Sequence, residues 1–196
     1  MHSERPVTGV MRAGTIPEGD VRAAAKGDRT AQRRLYEQYS PVIFGVIKRY
    51  VSDAHHAQDI MSEAFYRIFT KLQQYNFEGA FEGWMRRIAV HAITDYFRKH
   101  AKHLDAQRQE PGEDISGSYD ASATSQLSYK ELLGYVQSLP DTQRTVFNLF
   151  VFEEYPHKEI ANLLGITENN SRWHLNDARR RLKEKIARNE PGDGRK

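Results

Sequence analysis

No cysteine occurs among the 196 residues. That absence excludes disulfides, thiolate zinc sites and cysteine nucleophiles together, and it suits a reducing compartment. Long apolar runs are missing as well. Nothing approaches the roughly 20 residues that span a bilayer, so no direct membrane insertion is expected. The opening Met1-His2-Ser3-Glu4-Arg5-Pro6 leads into no apolar secretion segment, and a cytoplasmic location is the expectation. There is no Gly-rich phosphate loop and no Ser-nucleophile motif. The 8 histidines invite a metal site, but His55 and His56 are adjacent and diverge on a helix. His100 with His103 has no carboxylate cluster to complete it. The expectation is therefore a non-enzymatic chain with no catalytic residue, no metal and no cofactor.

What is present is charge in zones. The formal net charge is only +3. From Arg86 to His103, however, Arg86, Arg87, Arg98, Lys99 and Lys102 face a single Asp95, a local balance of about +4. From Asn169 to Arg188, Arg172, Arg179, Arg180, Arg181, Lys183, Lys185 and Arg188 stand against Asp177 and Glu184, about +5. Between them lie Asp105, Glu110, Glu113, Asp114 and Asp120. One basic zone alone would read as a solvated helix face. Two, separated by an acidic spacer, point to two contacts with one polyanion.

Periodicity predicts an all-α chain. Residues 1–17 are polar with Gly and Pro and are expected to be disordered. Asp28 is placed to cap a helix carrying Leu35, Tyr36 and Tyr39, and a second helix is expected to begin near Pro41. Ala57, Ile60, Met61, Ala64, Phe65, Ile68, Phe69 and Leu72 recur at spacings of three and four, with Ser52 or Asp53 as the cap. After a turn over Asn76 to Gly83, a helix from Trp84 to Lys102 carries Met85, Ile88, Ala89, Ala92, Ile93, Tyr96 and Phe97. These helices make one bundle, residues 18–103. Residues 104–125, with Pro111-Gly112 and Ser116-Gly117-Ser118, read as a flexible linker. Helical pattern resumes near Ser125 and defines a second small domain, 126–188, before a frayed tail, 189–196. Within it, Pro140 opens a helix carrying Val146, Phe147, Phe150 and Val151.

The strongest local signal is Pro156-His157-Lys158-Glu159-Ile160-Ala161-Asn162-Leu163-Leu164-Gly165-Ile166-Thr167. A short helix turns Ile160, Ala161 and Leu164 inward. Ala161 is small where a crossing helix approaches, and Gly165 can take the left-handed conformation that ends a helix. Thr167 caps the next helix, with Glu168 in its electropositive first turn. That helix buries Leu175, Ala178, Leu182 and Ile186. This is a helix-turn-helix whose second helix fits a major groove. Its candidate base-reading residues are Asn169, Asn170, Arg172, Trp173, His174 and Asn176, since Arg can grip guanine and Asn adenine in two-pronged fashion. Arg179, Arg180, Arg181 and Lys183 suit phosphates. The bland alternative is a helical hairpin with a basic outer face.

Several further stretches carry a family resemblance. Ala57-Gln58-Asp59-Ile60-Met61-Ser62-Glu63-Ala64-Phe65, then Trp84-Met85-Arg86-Arg87-Ile88-Ala89 and Asp95-Tyr96-Phe97-Arg98-Lys99, resemble region 2 of the extracytoplasmic-function (ECF) sigma factors of bacterial RNA polymerase. Leu139-Pro140-Asp141-Thr142-Gln143-Arg144-Thr145-Val146-Phe147 with the helix-turn-helix is similar to region 4. Lys26-Gly27-Asp28-Arg29 and Leu35-Tyr36-Glu37-Gln38-Tyr39 match the family's usual start. The resemblance implies two helical domains, a region 2 bundle and a region 4 helix-turn-helix domain, that direct core RNA polymerase to promoter DNA and open it. It implies that Gln58, Asp59, Ser62 and Glu63 dock on the polymerase clamp. The turn at 76–83 would capture a flipped base of the minus-ten element, with Phe77 and Phe81 beside it and Trp84 in the core. Arg86, Arg87, Arg98 and Lys99 would hold the backbone. The recognition helix would read the minus-thirty-five element, and an anti-sigma factor is the implied regulator.

The chain departs from the pattern in places. His91 stands near the captured base where many relatives have Asn, and imidazole cannot copy a carboxamide. Asn169-Asn170-Ser171 replaces a Gly-Thr-Val-like stretch, and Asp177 stands where a basic residue can occur. The promoter preference is thus not transferable. The rival reading is a helix-turn-helix repressor or activator that acts without joining the polymerase.

Overall fold

A computed structural model describes residues 16–100 and 129–189, and among these every regular element is helical. The elements are α1 (Glu18–Ala25), α2 (Arg29–Tyr50), α3 (Ala54–Lys71), a 3-10 turn (Leu72–Gln74), α4 (Phe81–His100), α5 (Tyr129–Gln137), α6 (Asp141–Val151), α7 (His157–Leu164) and α8 (Glu168–Asn189). The expected linker at 104–125 lies outside the described residues, as do most of the expected disordered ends. Contacts divide the chain into two units, Met1–Lys48 with His55–Ala92, and Arg49–Ala54 with Ile93–Lys196.

In the first unit, α1 closes at Gly27, which takes φ +92. The amide of Asp28 reaches back to the Ala23 carbonyl at 3.1 Å and that of Gly27 to Ala24 at 3.0 Å. These bonds satisfy carbonyls that a helix end leaves open. The Asp28 carboxylate then accepts from the Ala31 amide at 2.9 Å, so one residue ends the turn and caps α2. The expected break at Pro41 does not occur; α2 runs through it. Proline in a helix interior removes one ladder bond and costs about 3 kcal/mol. Here Leu35, Tyr39, Ile43, Val46 and Ile47 form one buried row across that point. Each contributes about 1.5–3 kcal/mol when fully buried, so the row outweighs the missing bond. The predicted stripe of α3 packs as spaced, with Ala57, Ile60, Met61, Ala64, Phe65 and Ile68 buried and Phe69 half-buried.

Helix α4 begins at Phe81, three residues before the expected Trp84. The Trp84 amide already bonds the Ala80 carbonyl at 3.2 Å, and Glu82 sits in the first turn, where a negative charge is favoured.

The second unit packs Val136, Leu139, Val146, Leu149, Ile160, Ala161, Leu175 and Ala178 into its core. Alongside them runs a buried polar line on α6: Gln143, Arg144, Thr145 and Asn148. The Arg144 guanidinium donates to the carbonyls of Tyr50 (2.7 Å) and Gln137 (2.8 Å) and pairs with Asp141. Asn148 Nδ2 donates to the carbonyls of Arg49 and Arg144, each at 2.9 Å. The last carbonyls of α2 are therefore answered by α6 side chains. Arg49 itself pairs with Glu153, their side chains 7% and 3% exposed, and lies 4.9 Å over the Phe152 ring.

Removing one member of a buried ion pair leaves the other charged and desolvated, which costs about 3–5 kcal/mol. Glu153→Ala is accordingly expected to lower the unfolding free energy of this unit, read from the shift of its urea midpoint, by an amount of that order. The double change Arg49→Met with Glu153→Leu should recover most of it. A midpoint unmoved by Glu153→Ala would show that the pair does not form.

Candidate nucleic-acid interface

The helix-turn-helix is built from short-range rules. Pro156 precedes α7, and Gly165 ends it with φ +70 and ψ 32, the left-handed cap that the sequence predicts. The Ile166 amide closes the corner on the Ala161 carbonyl at 3.1 Å. Thr167 Oγ1 accepts from the Asn170 amide at 3.1 Å, and Glu168 occupies the first turn of α8. Of the four residues expected inward on α8, Leu175 and Ala178 are buried, while Leu182 and Ile186 are half-buried. Ser171 adds a fully buried hydroxyl, its Oγ 2.9 Å from His157 Nδ1.

Helical spacing then sorts the candidate readers. Asn169, Arg172, Trp173, Asn176 and Arg180 fall on the face opposite Ser171, Leu175 and Ala178. Asn169, Arg172 and Arg180 are exposed; Trp173 and Asn176 are half-exposed. Asn170 and His174 lie to the side, toward the packed surface. His174 Nδ1 is buried with no protein hydrogen-bond partner. Two candidate phosphate ligands are tied to one carboxylate: Asp177, 9% exposed, accepts from Arg180 at 2.5 Å and Arg181 at 2.7 Å, and from Gln143 of α6 at 3.1 Å. Burial pushes its carboxyl up, but the bonds from Arg181, Arg180 and Gln143 and the Arg181 charge more than reverse this. The group is held below the usual carboxylate range. Arg179 instead lies over the Phe150 ring at 5.7 Å, and Arg172 pairs with Glu168.

In the first unit, the turn before α4 gathers aromatic rings around a residue that sequence reasoning missed, Tyr75. Its ring centroid lies 4.9 Å from Phe77, 5.0 Å from Phe81 and 5.4 Å from Trp84. Its hydroxyl donates to the Gly79 carbonyl at 2.9 Å, pinning the turn. Phe81 stacks on Trp84 at 5.8 Å and meets Tyr39 edge-on at 5.5 Å. Phe77, Phe81 and Trp84 are all half-buried, so each joins the cluster without leaving the surface. Phe77 has φ +62, a left-handed backbone unusual for a bulky residue. On α4, Arg87 and His91 share an exposed face one turn apart, and Arg86 is half-buried. Further along the same helix, in the stretch that belongs to the second unit, Arg98 and Lys99 are exposed, Arg98 paired with Asp95 at 2.5 Å.

The third candidate surface is the outer face of α3. Gln58, Asp59, Ser62 and Glu63 are all exposed. Ser62 Oγ donates to the Gln58 carbonyl at 3.0 Å, and Glu63 pairs with Arg67 at 2.7 Å. Tyr66, 68% exposed, continues this face by one turn. Among the described residues no three His, Asp or Glu side chains gather as a metal site requires, and no helix is long and apolar enough to cross a membrane.

Comparison with known proteins matches two stretches of the chain to one family. A family model described as "Sigma-70 region 2" matches residues 35–103, and one described as "Sigma-70, region 4" matches residues 129–182. The ECF RNA polymerase sigma factor SigM of Bacillus subtilis (strain 168) is 30% identical over 154 residues, covering 76% of this chain and 91% of that protein. The ECF RNA polymerase sigma factor SigW of the same strain is 25% identical over 183 residues, covering 85% and 94%. Among solved structures, the sigma factor RpoE, in complex with the anti-sigma factor NepR from Bartonella quintana, aligns with a TM-score of 0.47 at 15% identity. That alignment covers 81% of this chain and 98% of that one.

Acid is expected to loosen the helix-turn-helix. Burial, then the nearby Arg172 and Arg179 charges, hold His157 below its ordinary value of 6.5. Burial does the same to His174, against the opposing charge of Asp177. Their contribution to stability is complete above the unfolded value of about 6.5 and is lost as pH falls through the depressed folded values. The thermal midpoint should therefore drop between pH 7 and pH 5, and drop less in a His157→Asn, His174→Asn variant. Equal pH slopes in the two proteins would contradict this.

Proposed function

As the chain belongs to the ECF sigma factors of RNA polymerase, we propose that its surfaces divide the work of promoter selection among themselves. One observation carries this reading. Matches to region 2 and region 4 occur in order on one chain, and each stretch carries a surface suited to its task. The family model makes the chain a polymerase specificity subunit; the rival of a repressor acting alone is not favoured.

The outer face of α3, with Gln58, Asp59, Ser62 and Glu63, is the proposed dock for core RNA polymerase. It is acidic, polar and backed by a fully packed stripe, which gives a rigid helix face for a partner. The aromatic turn at 75–84, with Phe77 and Phe81 at the surface, is the proposed receiver of an unpaired minus-ten base. Extrusion of a base sacrifices stacking and pairing, and aromatic faces restore stacking to single strands. Arg86, Arg87, Arg98 and Lys99 supply charge for the strand's backbone, and His91 stands where base preference is set. The outward face of α8 reads the minus-thirty-five element through Asn169, Arg172, Trp173 and Asn176, with Arg179 and Arg180 nearer the phosphates. Asn170 and His174 support that face from the side. The working modules are residues 18–103 and 126–188, tethered by 104–125, in the cytoplasm where polymerase resides. Family membership also supports a protein inhibitor, an anti-sigma factor, as a partner. Neither catalysis nor a cofactor enters this activity.

Two substitutions separate the roles. Asp59→Arg should weaken binding to core polymerase at least tenfold, read by fluorescence anisotropy, with helix content unchanged by circular dichroism. Arg172→Ala should leave core binding intact. It should lower transcription from promoters that depend on the minus-thirty-five element by about tenfold, the loss of one two-pronged base contact. If Arg172→Ala instead abolished core binding, the division of labour would be wrong.

A further inference from the structure

The aromatic turn has an outer layer that no sequence motif marks. Phe77 holds φ +62, a backbone state that bulky side chains rarely adopt and that concentrates at functional sites. The turn is fixed on both sides of it: the Glu78 amide bonds Asn76 Oδ1 at 3.3 Å, and Gly79 takes φ +75. The ring projected there is half-buried and leans on Tyr75. Over its face, 4.2 Å from the centroid, lies the guanidinium of Arg22.

Arg22 is placed, not adrift. It sits on α1, which packs against the 3-10 turn, and Gln73 Nε2 donates to the Ala25 carbonyl at 3.0 Å. Glu18, one turn earlier, accepts from Arg22 Nε at 2.7 Å. The Arg22 side chain is still 60% exposed. The guanidinium carbon thus lies over Phe77, its Nε edge is engaged by a carboxylate, and more than half of the side chain remains open to solvent. A guanidinium plane stacks on nucleobases as aromatic rings do. Its charge is largely answered by Glu18, so what it offers is a flat surface more than a phosphate ligand.

We propose that Arg22 and Phe77 form an additional stacking step, outside the Tyr75, Phe81 and Trp84 cluster. The outer face of the Arg22 guanidinium takes an unpaired base of the opened promoter strand. This rests on the reading of the 75–84 turn as the receiver of the minus-ten strand. Arg22 is then a DNA-contacting residue of the first helix, and Phe77 is its support.

The test uses holoenzyme, core RNA polymerase with the full chain, on a promoter whose start it has been mapped to use. The DNA is prepared as a full duplex and as a fork with the minus-ten non-template strand unpaired. Arg22→Ala should weaken fork binding about tenfold, in line with the loss of one stacked base, and leave duplex and core binding unchanged. The slope of log affinity against log salt should stay the same, because no phosphate charge is lost. Arg22→Lys should fail to restore binding, since an ammonium has no plane. In a Phe77→Ala background, Arg22→Ala should add little. The site is exposed and alanine favours helix, so folding is not at issue. Fork binding untouched by Arg22→Ala, or fully restored by Arg22→Lys, overturns the proposal alone. If wild-type holoenzyme binds the fork no better than the duplex, the minus-ten reading fails with it.

Discussion

Asp177 is an acidic residue on a strongly basic helix, nearly buried, and much of the second unit's geometry follows from what it holds. A buried carboxylate is stable only when its lone pairs are met. Here Gln143 meets it from α6, while Arg180 and Arg181 meet it from one turn further along α8. The first bond fixes the rotation of α8 against the core. The other two gather cationic side chains at a defined place instead of leaving them to solvent. With Ser171, Leu175 and Ala178 turned inward by that rotation, the opposite face has to be Asn169, Arg172, Trp173 and Asn176. The proposed reading face is thus set by packing from behind.

The first unit solves the opposite problem. The turn before α4, the proposed receiver of a base, keeps aromatic rings at the surface, where hydrophobic burial would otherwise draw them in. Tyr75 resolves this by anchoring itself: its ring lies in the cluster and its hydroxyl is spent on the Gly79 carbonyl. Phe77, Phe81 and Trp84 then lean on it and stay half-exposed. The left-handed backbone at Phe77 carries local strain, of order 1–3 kcal/mol for such states.

Much of this was legible in the sequence, and the failures are physical. The α3 stripe, the Asp28 and Thr167 caps and the Gly165 corner rest on spacing and local hydrogen bonding, so they could be read one segment at a time. Pro41 misled because the local rule for proline is sound, and only the buried row across it, a tertiary fact, overrides it. The expected start of α4 lies three residues late because the turn was read on to Gly83, a glycine that the first turn of the helix in fact contains. Asp177 could be seen as a departure from the family pattern, yet its partner Gln143 is 34 residues away and no local rule joins them. Arg22 and Phe77 are likewise far apart in sequence, and their contact exists only after α1 packs against the 3-10 turn.

The central claim is that this chain tells core polymerase where to begin. It is tested most directly by adding the purified chain to core RNA polymerase on genomic fragments and sequencing the 5′ ends of the transcripts. The account predicts discrete starts, each preceded by a shared upstream pair of elements, that core polymerase alone does not produce. Identical transcript ends with and without the chain would contradict it.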